Sequence, residues 1–191
     1  MVYKKSDHYD GKLFLNHGES FHKNIIDVVK WRLTRNRTKW PSWVENTATP
    51  NFPATISTNQ IVTTFINHAS HLIQLQYFNI LTDPVYSQRV SPLKSAGPKR
   101  VRNPGIAFAK LPKIDLVVIS HNHYDHMDVQ TVRDLEAQHH PVFVVPLGNA
   151  VFLKKLCVGK VVELDWWQNV QLDTVKVTLV PAQHWSSRHP N

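Results

Sequence analysis

The stretch "ISHNHYDHMD", residues 119–128, places three histidines and two aspartates in ten positions. It ends the apolar run "IDLVVIS". His121 and His123 alternate, so in an extended segment both side chains point to one side. Asp125 and His126 lie just beyond, where the chain is expected to turn into a helix. Two nitrogen donors and a separate carboxylate–imidazole pair therefore stand within a few residues. Imidazole suits zinc and related transition metals, and a carboxylate suits a harder or bridged second site. Read without a metal, the same residues are a polar surface loop; their clustering at a strand end favours metal. A catalytic zinc commonly takes three protein ligands and a water. His184, in "LVPAQHWS", also follows an apolar β-rich run, so the same sheet edge could bring it to His121 and His123.

The elements that must position these residues can be read from pattern. "IVTTFI", "HLIQLQ" and "FNIL" are short β-rich runs read as successive strands. "IDLVVIS" is continuous and apolar, as expected of a strand buried on both faces. Its polar continuation then lies at the carboxyl edge of the sheet, where α/β proteins bind ligands. Asp128 is placed to cap a helix through "VQTVRDLEAQ". "VFVV", "VVEL" and "VKVTLV" are further strands, and "NAVFLKKLC" is a short helix. This strand–helix–strand rhythm predicts a layered α/β fold. Between residues 82 and 108 runs a long loop with four prolines and two glycines, of the kind that often carries function. Residues 1–60 read as an N-terminal arm, with a helix over about 22–36 on Ile25, Ile26, Val29 and Leu33 and then an extended stretch.

The chain has 191 residues, enough for one sizeable domain with a core. No apolar run reaches membrane-spanning length, and the N-terminus lacks the apolar core of a secretory signal. A cytoplasmic protein, or one peripheral at a membrane, is expected. Cys157 is alone, so no internal disulfide can form. The net charge of +8, from 22 basic and 14 acidic residues, favours anionic partners or serves only solubility.

Several blocks narrow the reading: "ILTDPVYS", "SPLKSAGPKRVRNPGIAF", "LPKIDLVVISHNHYDHMD", "VPLGN", "ELDWWQ" and "VPAQHWSSR". The H-x-H-x-D-H pattern resembles the metallo-β-lactamase fold superfamily. The other blocks, from about residue 61 onward, resemble its branch of N-acylphosphatidylethanolamine-hydrolysing phospholipases D. That resemblance implies an αββα sandwich and a dinuclear zinc site. It makes His121, His123 and His184 ligands of one zinc, and Asp125 and His126 ligands of the other and part of the catalytic centre. The implied reaction is hydrolysis of a phospholipid phosphodiester, in which zinc lowers the pKa of bound water and offsets phosphate charge. Asp83, in "LTDP", matches a position that supports the ligand loop from behind; Asp-Pro is equally a good turn former.

The family pattern continues past this point with a second strand–helix half that supplies a bridging Asp and a last His. This chain ends at Asn191, no Asp follows Asp173, and His189 is too near His184 to replace a ligand from a distant strand. Residues 61–191 are thus expected to form the N-terminal half of the sandwich, truncated after the third ligand block, with the second zinc site incomplete. A naturally shortened product, a fragment, or completion by another chain, including a second copy in a homodimer, are the open explanations.

Other features have double readings. "KWRLTRNRTKWPSW" interleaves Lys30, Arg32, Arg35, Arg37 and Lys39 with Trp31, Trp40 and Trp43. This suits a phospholipid surface, or a solvated helix face with tryptophans packed inward; nucleic acid is the less favoured partner. Lys99, Arg100 and Arg102 could hold an anionic headgroup near the metals or form an exposed basic loop. Tyr124 could reach substrate or be buried. Trp166 and Trp167 are expected in the core or a pocket wall, and His139 and His140 at a helix end, complementing its dipole. The remaining enzyme readings change the substrate to a nucleic acid phosphodiester or a lactone; outside enzymes, a catalytically impaired interaction protein remains.

Overall fold

A computed structural model of the chain describes residues 3–16, 25–36, 38–48, 50, 52–93, 95–186 and 188. His17, His22, Arg37 and His189 lie outside the described residues. The chain divides into two units, Met1–Pro41 with Val180–Trp185, and Ser42–Leu179 with Ser186–Asn191.

The first unit holds α1 (Ile25–Thr34), which ends two residues before the helix end expected from the spacing; residues 22–24 lie outside the described residues. The apolar positions Ile26 and Leu33 are 71% and 80% exposed, so the periodicity that forms the helix does not build a core there. Trp31 and Trp40 are exposed as well, and the Arg35 guanidinium lies 4.3 Å from the Trp31 ring centroid. Among the described residues, no helix is long and apolar enough to cross a membrane.

The second unit is built on a six-stranded mixed sheet of β1 (Val62–Asn67), β2 (Ser70–Leu75), β3 (Phe78–Thr82), β4 (Leu116–Val118), β5 (Val142–Pro146) and β6 (Val161–Leu164), in sequence order across the sheet. The first two pairings are antiparallel and the last three parallel. The period-2 pattern of strands separates two apolar layers. Leu72, Leu81, Val117, Phe143 and Val145 face one core with Val132 and Leu135 of α2 (Val129–His139) and Leu153 of α3 (Ala150–Lys155). Leu116, Val144 and Leu164 face the other way, under Val170, Leu172, Val175 and Val177 of a hairpin, β7 (Asn169–Leu172) and β8 (Val175–Thr178). Helices on one face and a second small sheet on the other are the layers of an α/β sandwich. The β7 strand is not among those expected. Its residues "NVQL" carry only two apolar side chains, and pairing with β8 across the two-residue turn Asp173–Thr174 makes it a strand. Asp173 takes φ 51° there, as such tight hairpin turns require.

Strand β4 sits in the middle of the sheet, with Leu116 and Val117 fully buried, as the apolar run predicts. Among its described residues, the long loop after Thr82 has no strand of its own but is fastened by side chains. Asp128 caps α2 through Gln130 N (3.2 Å), and the same buried carboxylate accepts from Tyr86 N, Ser87 N, Ser87 Oγ and Thr131 Oγ1 at 2.6–3.2 Å. Gly105 N donates to Ile66 O, and a Cβ at Gly105 would lie 2.7 Å from Phe65 O, so only glycine fits this close approach.

Two histidine and tryptophan expectations change. Trp167 is 67% exposed at a φ of 67°, in the turn after β6, and is neither core nor pocket wall. Its neighbour Trp166 is half-buried. His139 is buried, and its Nδ1 accepts a hydrogen bond from Ile114 N at 3.2 Å, tying the end of α2 to the segment before β4. It therefore acts as a neutral acceptor and not as a cation on the helix dipole. His140 is the left-handed C-cap of α2, and its Nδ1 lies 3.7 Å from Glu136.

Burial first, then the nearby Lys113, hold His139 below the ordinary value of 6.5, partly offset by Asp115. The unfolded chain therefore takes up this proton first as pH falls. Stability from His139 is complete above 6.5 and is lost as pH falls from there through the lower folded value. The thermal midpoint should accordingly drop between pH 7.5 and 5.5. His139→Gln, which keeps an acceptor without titrating, should flatten that slope; an unchanged slope would rule out His139 as its source.

Candidate metal centre

The loop after β4 is pinned at both ends by apolar burial. Ile119 (3% exposed) donates to Val144 O, Met127 is fully buried, and His126 N and Met127 N both donate to His123 O. The polar residues between the anchors are thereby turned out at the carboxyl edge of the sheet, where the sequence pattern predicts them.

Asp83 fixes the geometry of this edge. Its Oδ1 accepts from Ser120 N (2.7 Å), and its Oδ2 accepts from Ser120 Oγ (2.7 Å) and lies 2.9 Å from His126 Nδ1. With Nδ1 carrying its hydrogen toward the carboxylate, His126 presents the Nε2 lone pair outward. Burial pulls the His126 pKa down, but the Asp83 hydrogen bond and the charges of Asp83 and Asp125 outweigh it, and the net direction is up from 6.5. Asp83 is itself 7% exposed and sits at φ 35°, so its role here exceeds that of a turn former.

Four imidazoles stand ring to ring. His121 and His123 have centroids 4.6 Å apart, with His121 Nε2 2.9 Å from His123 Nδ1. The His121 ring is 4.0 Å from that of His126, and the His126 ring 5.0 Å from that of His68. Ser120 Oγ lies 2.9 Å from His121 Nδ1, which directs Nε2 toward His123. Asp125 Oδ2 lies 3.2 Å from His68 Nε2 and 4.0 Å from His126 Nε2. One donor atom from each of His68, Asp125 and His126 falls within 4.8 Å of the others. Protonating all of these rings would set like charges a few ångströms apart, whereas neutral rings converge lone pairs that suit a transition-metal cation. The donor chemistry thus fits a metal.

Of the residues predicted from sequence, Asp83, His121, His123, Asp125 and His126 come together. His184 lies in the other unit, where its carbonyl accepts from Asn16 Nδ2 at 2.9 Å. Tyr124 stacks under the Arg188 guanidinium (4.3 Å) and lines a cavity of about 440 Å³ with Ser87, Arg89, Arg133 and Phe152. Arg100 is spent on the loop, donating through Nη2 to Val85 O (3.0 Å) and Ser87 O (3.3 Å). Lys99 and Arg102 are exposed.

Sequence reasoning missed His68, Ser120 and Arg188. Strand direction was the available signal for His68. β1 runs antiparallel to β2, and β2 to β3, so the end of β1 lies at the same edge as the ends of β3 and β4.

The model of the beta-lactamase superfamily domain matches residues 78–191. An uncharacterised protein of Mycobacterium tuberculosis is 37% identical over 166 residues, which is 85% of this chain and 44% of that protein. The N-acyl-phosphatidylethanolamine-hydrolyzing phospholipase D 1 of Caenorhabditis elegans is 33% identical over 142 residues, 69% of this chain and 40% of that protein. The chain thus spans less than half the length of these curated relatives. Among solved structures, the diiron beta-hydroxylase CmlA from Streptomyces venezuelae superposes with a TM-score of 0.51 at 25% identity, over 65% of this chain and 24% of that one. With the domain model covering well over half of its residues, and with its sheet, helices and histidine-bearing edge arranged as described, the chain belongs to the metallo-β-lactamase superfamily.

Proposed function

We propose that this chain has the chemistry of a zinc-dependent hydrolase of phospholipase D type, acting on N-acylphosphatidylethanolamine or a closely related phospholipid. The observation that carries the reading is the donor cluster at the carboxyl edge of the sheet, in a chain one-third identical to a nematode phospholipase D over 142 residues. His121 and His123 would hold one zinc, and Asp125 and His126 would take part in holding the second. Bound zinc supplies an acidified water nucleophile and charge to offset the phosphate oxygens. The residues of the chain do the rest. Asp83 keeps His126 in one tautomer and orientation, and Ser120 does the same for His121. The buried anchors Ile119 and Met127 keep the loop from collapsing when the histidines are neutral. CmlA is a diiron enzyme, which makes iron the alternative to zinc.

The exposed Ile26, Trp31, Leu33 and Trp40, among basic residues of the first unit, support contact with a phospholipid surface. A net charge of +8 favours an anionic leaflet in the same direction.

Two measurements test this reading. Zinc-loaded protein should release N-acylethanolamine and phosphatidic acid from N-acylphosphatidylethanolamine vesicles, and His123→Ala should lower the rate by at least about a hundredfold, since it removes a ligand outright. Undiminished release by that variant would end the proposal. Asp83→Asn should weaken metal affinity by about 10–100-fold, the range for loss of such a supporting hydrogen bond. In the metal-free protein it should also lower the His126 pKa, read by NMR titration, because the groups that raise it lose the Asp83 charge. The His126–Asp83 pair stabilises the metal-free fold below His126's unfolded pKa, and that contribution is lost as pH rises through the elevated folded value. Asp83→Asn should abolish this loss.

A further inference from the structure

His68 stands outside every sequence pattern discussed above, yet its ring meets the metal-facing side of the ligand loop. It occupies the turn between β1 and β2, where Asn67 pairs with Ser70 and the register shifts after Phe65. Its Nε2 is 3.2 Å from Asp125 Oδ2, and its ring centroid 5.0 Å from that of His126. Resting on the metal reading above, we propose that His68 is a third protein ligand at the Asp125–His126 site, so that residues of three separate segments, the β1–β2 turn, the β4 loop and the brace at Asp83, build the second metal site within this chain.

Two observations support it. First, the tautomer set by Asp83 leaves His126 Nε2 as an acceptor, and Asp125 Oδ2 is also an acceptor; the two face each other at 4.0 Å. Two acceptors converging in this way call for a cation between them, and His68 completes the triangle. Donors about 2.0–2.1 Å from a tetrahedral zinc stand roughly 3.3 Å apart, close to the His68–Asp125 spacing of 3.2 Å. Second, the turn that carries His68 is held against the segment that carries Asp83. Asn67 Nδ2 donates to Val85 O (3.0 Å), Ser70 Oγ donates to Asp83 O (2.6 Å), and Val85 N donates to Ser70 Oγ (3.2 Å). Ser70 is fully buried, so this seam is part of the fold.

His68 takes φ 41°, a left-handed conformation that glycine and asparagine adopt readily, so His68→Gly and His68→Asn delete the donor without straining the backbone. The full chain, stripped with a chelator, would be titrated with Zn²⁺ by calorimetry and with Co²⁺ by its visible absorption. The native chain should bind two equivalents. His68→Gly and His68→Asn should keep the tighter equivalent and bind the weaker one at least about tenfold less well, since even a supporting residue typically contributes that much. Metal-free melting midpoints of both variants should equal or exceed that of the native chain, whereas a merely structural histidine would lower them. His71→Ala, on the same hairpin but outside the donor group, should bind as the native chain does. Native affinities and stoichiometry in both His68 variants would overturn the proposal and leave a simple His68–Asp125 hydrogen bond. A native chain that takes up no metal overturns the metal reading and this one together. Loss of the weaker equivalent in the variants, with no phospholipid hydrolysis by the native protein, supports His68 and rejects the substrate.

Discussion

The candidate centre depends on one buried carboxylate. Asp83 stands at the end of β3 and reaches across to the neighbouring strand, where it accepts both the amide and the hydroxyl of Ser120 and faces the His126 ring. A buried carboxylate is costly unless its oxygens are satisfied, and here each has at least one strong partner. That satisfaction couples three things: the register of β3 against β4, the departure of the loop from β4, and the orientation of one imidazole. Asp83 N also donates to Val118 O, so backbone and side chain of one residue tie the same two strands. Moving any of these groups would leave an acceptor or donor buried and unmet.

Strand direction then decides what else can join. The parallel β3–β4–β5 arrangement places successive strand ends on one edge, and the antiparallel first hairpin returns β1 to that same edge. Polar residues that directly follow these strands meet whether or not they are near in sequence. The loop after β4 gains most from this, because its strand is central and flanked on both sides. Apolar anchors at Ile119 and Met127 convert that position into a rigid display.

This explains how much was legible in the sequence. The β4 run, the Asp128 cap and the H-x-H-x-D-H spacing are local patterns, and local patterns carry their geometry with them. The long loop was legible as irregular, but what fastens it was not, because Asp128 lies on another segment and Arg100 closes back on Val85 and Ser87, 15 and 13 residues earlier. β7 escaped because its strand character arises from pairing with β8, not from composition. Trp167 misled because an aromatic pair reads as interior, whereas a positive φ turns this one outward. His68 carried no spacing signal at all; only the path of the first hairpin brings it to Asp125.

The two donor groups differ in character, and that difference orders their expected strengths. His121 and His123 offer nitrogen, are both half-buried, and sit between the loop's buried anchors. In the second group only His126 is firmly held; the Asp125 and His68 side chains remain 42% and 54% exposed. Exposed donors lose more conformational entropy on fixing a cation, and water screens the carboxylate charge that would attract it. A carboxylate nonetheless brings what imidazoles lack, a negative charge to balance the metal in a strongly basic chain. The rigid nitrogen pair is therefore suited to retaining a metal, and the looser, charged group to holding one less tightly.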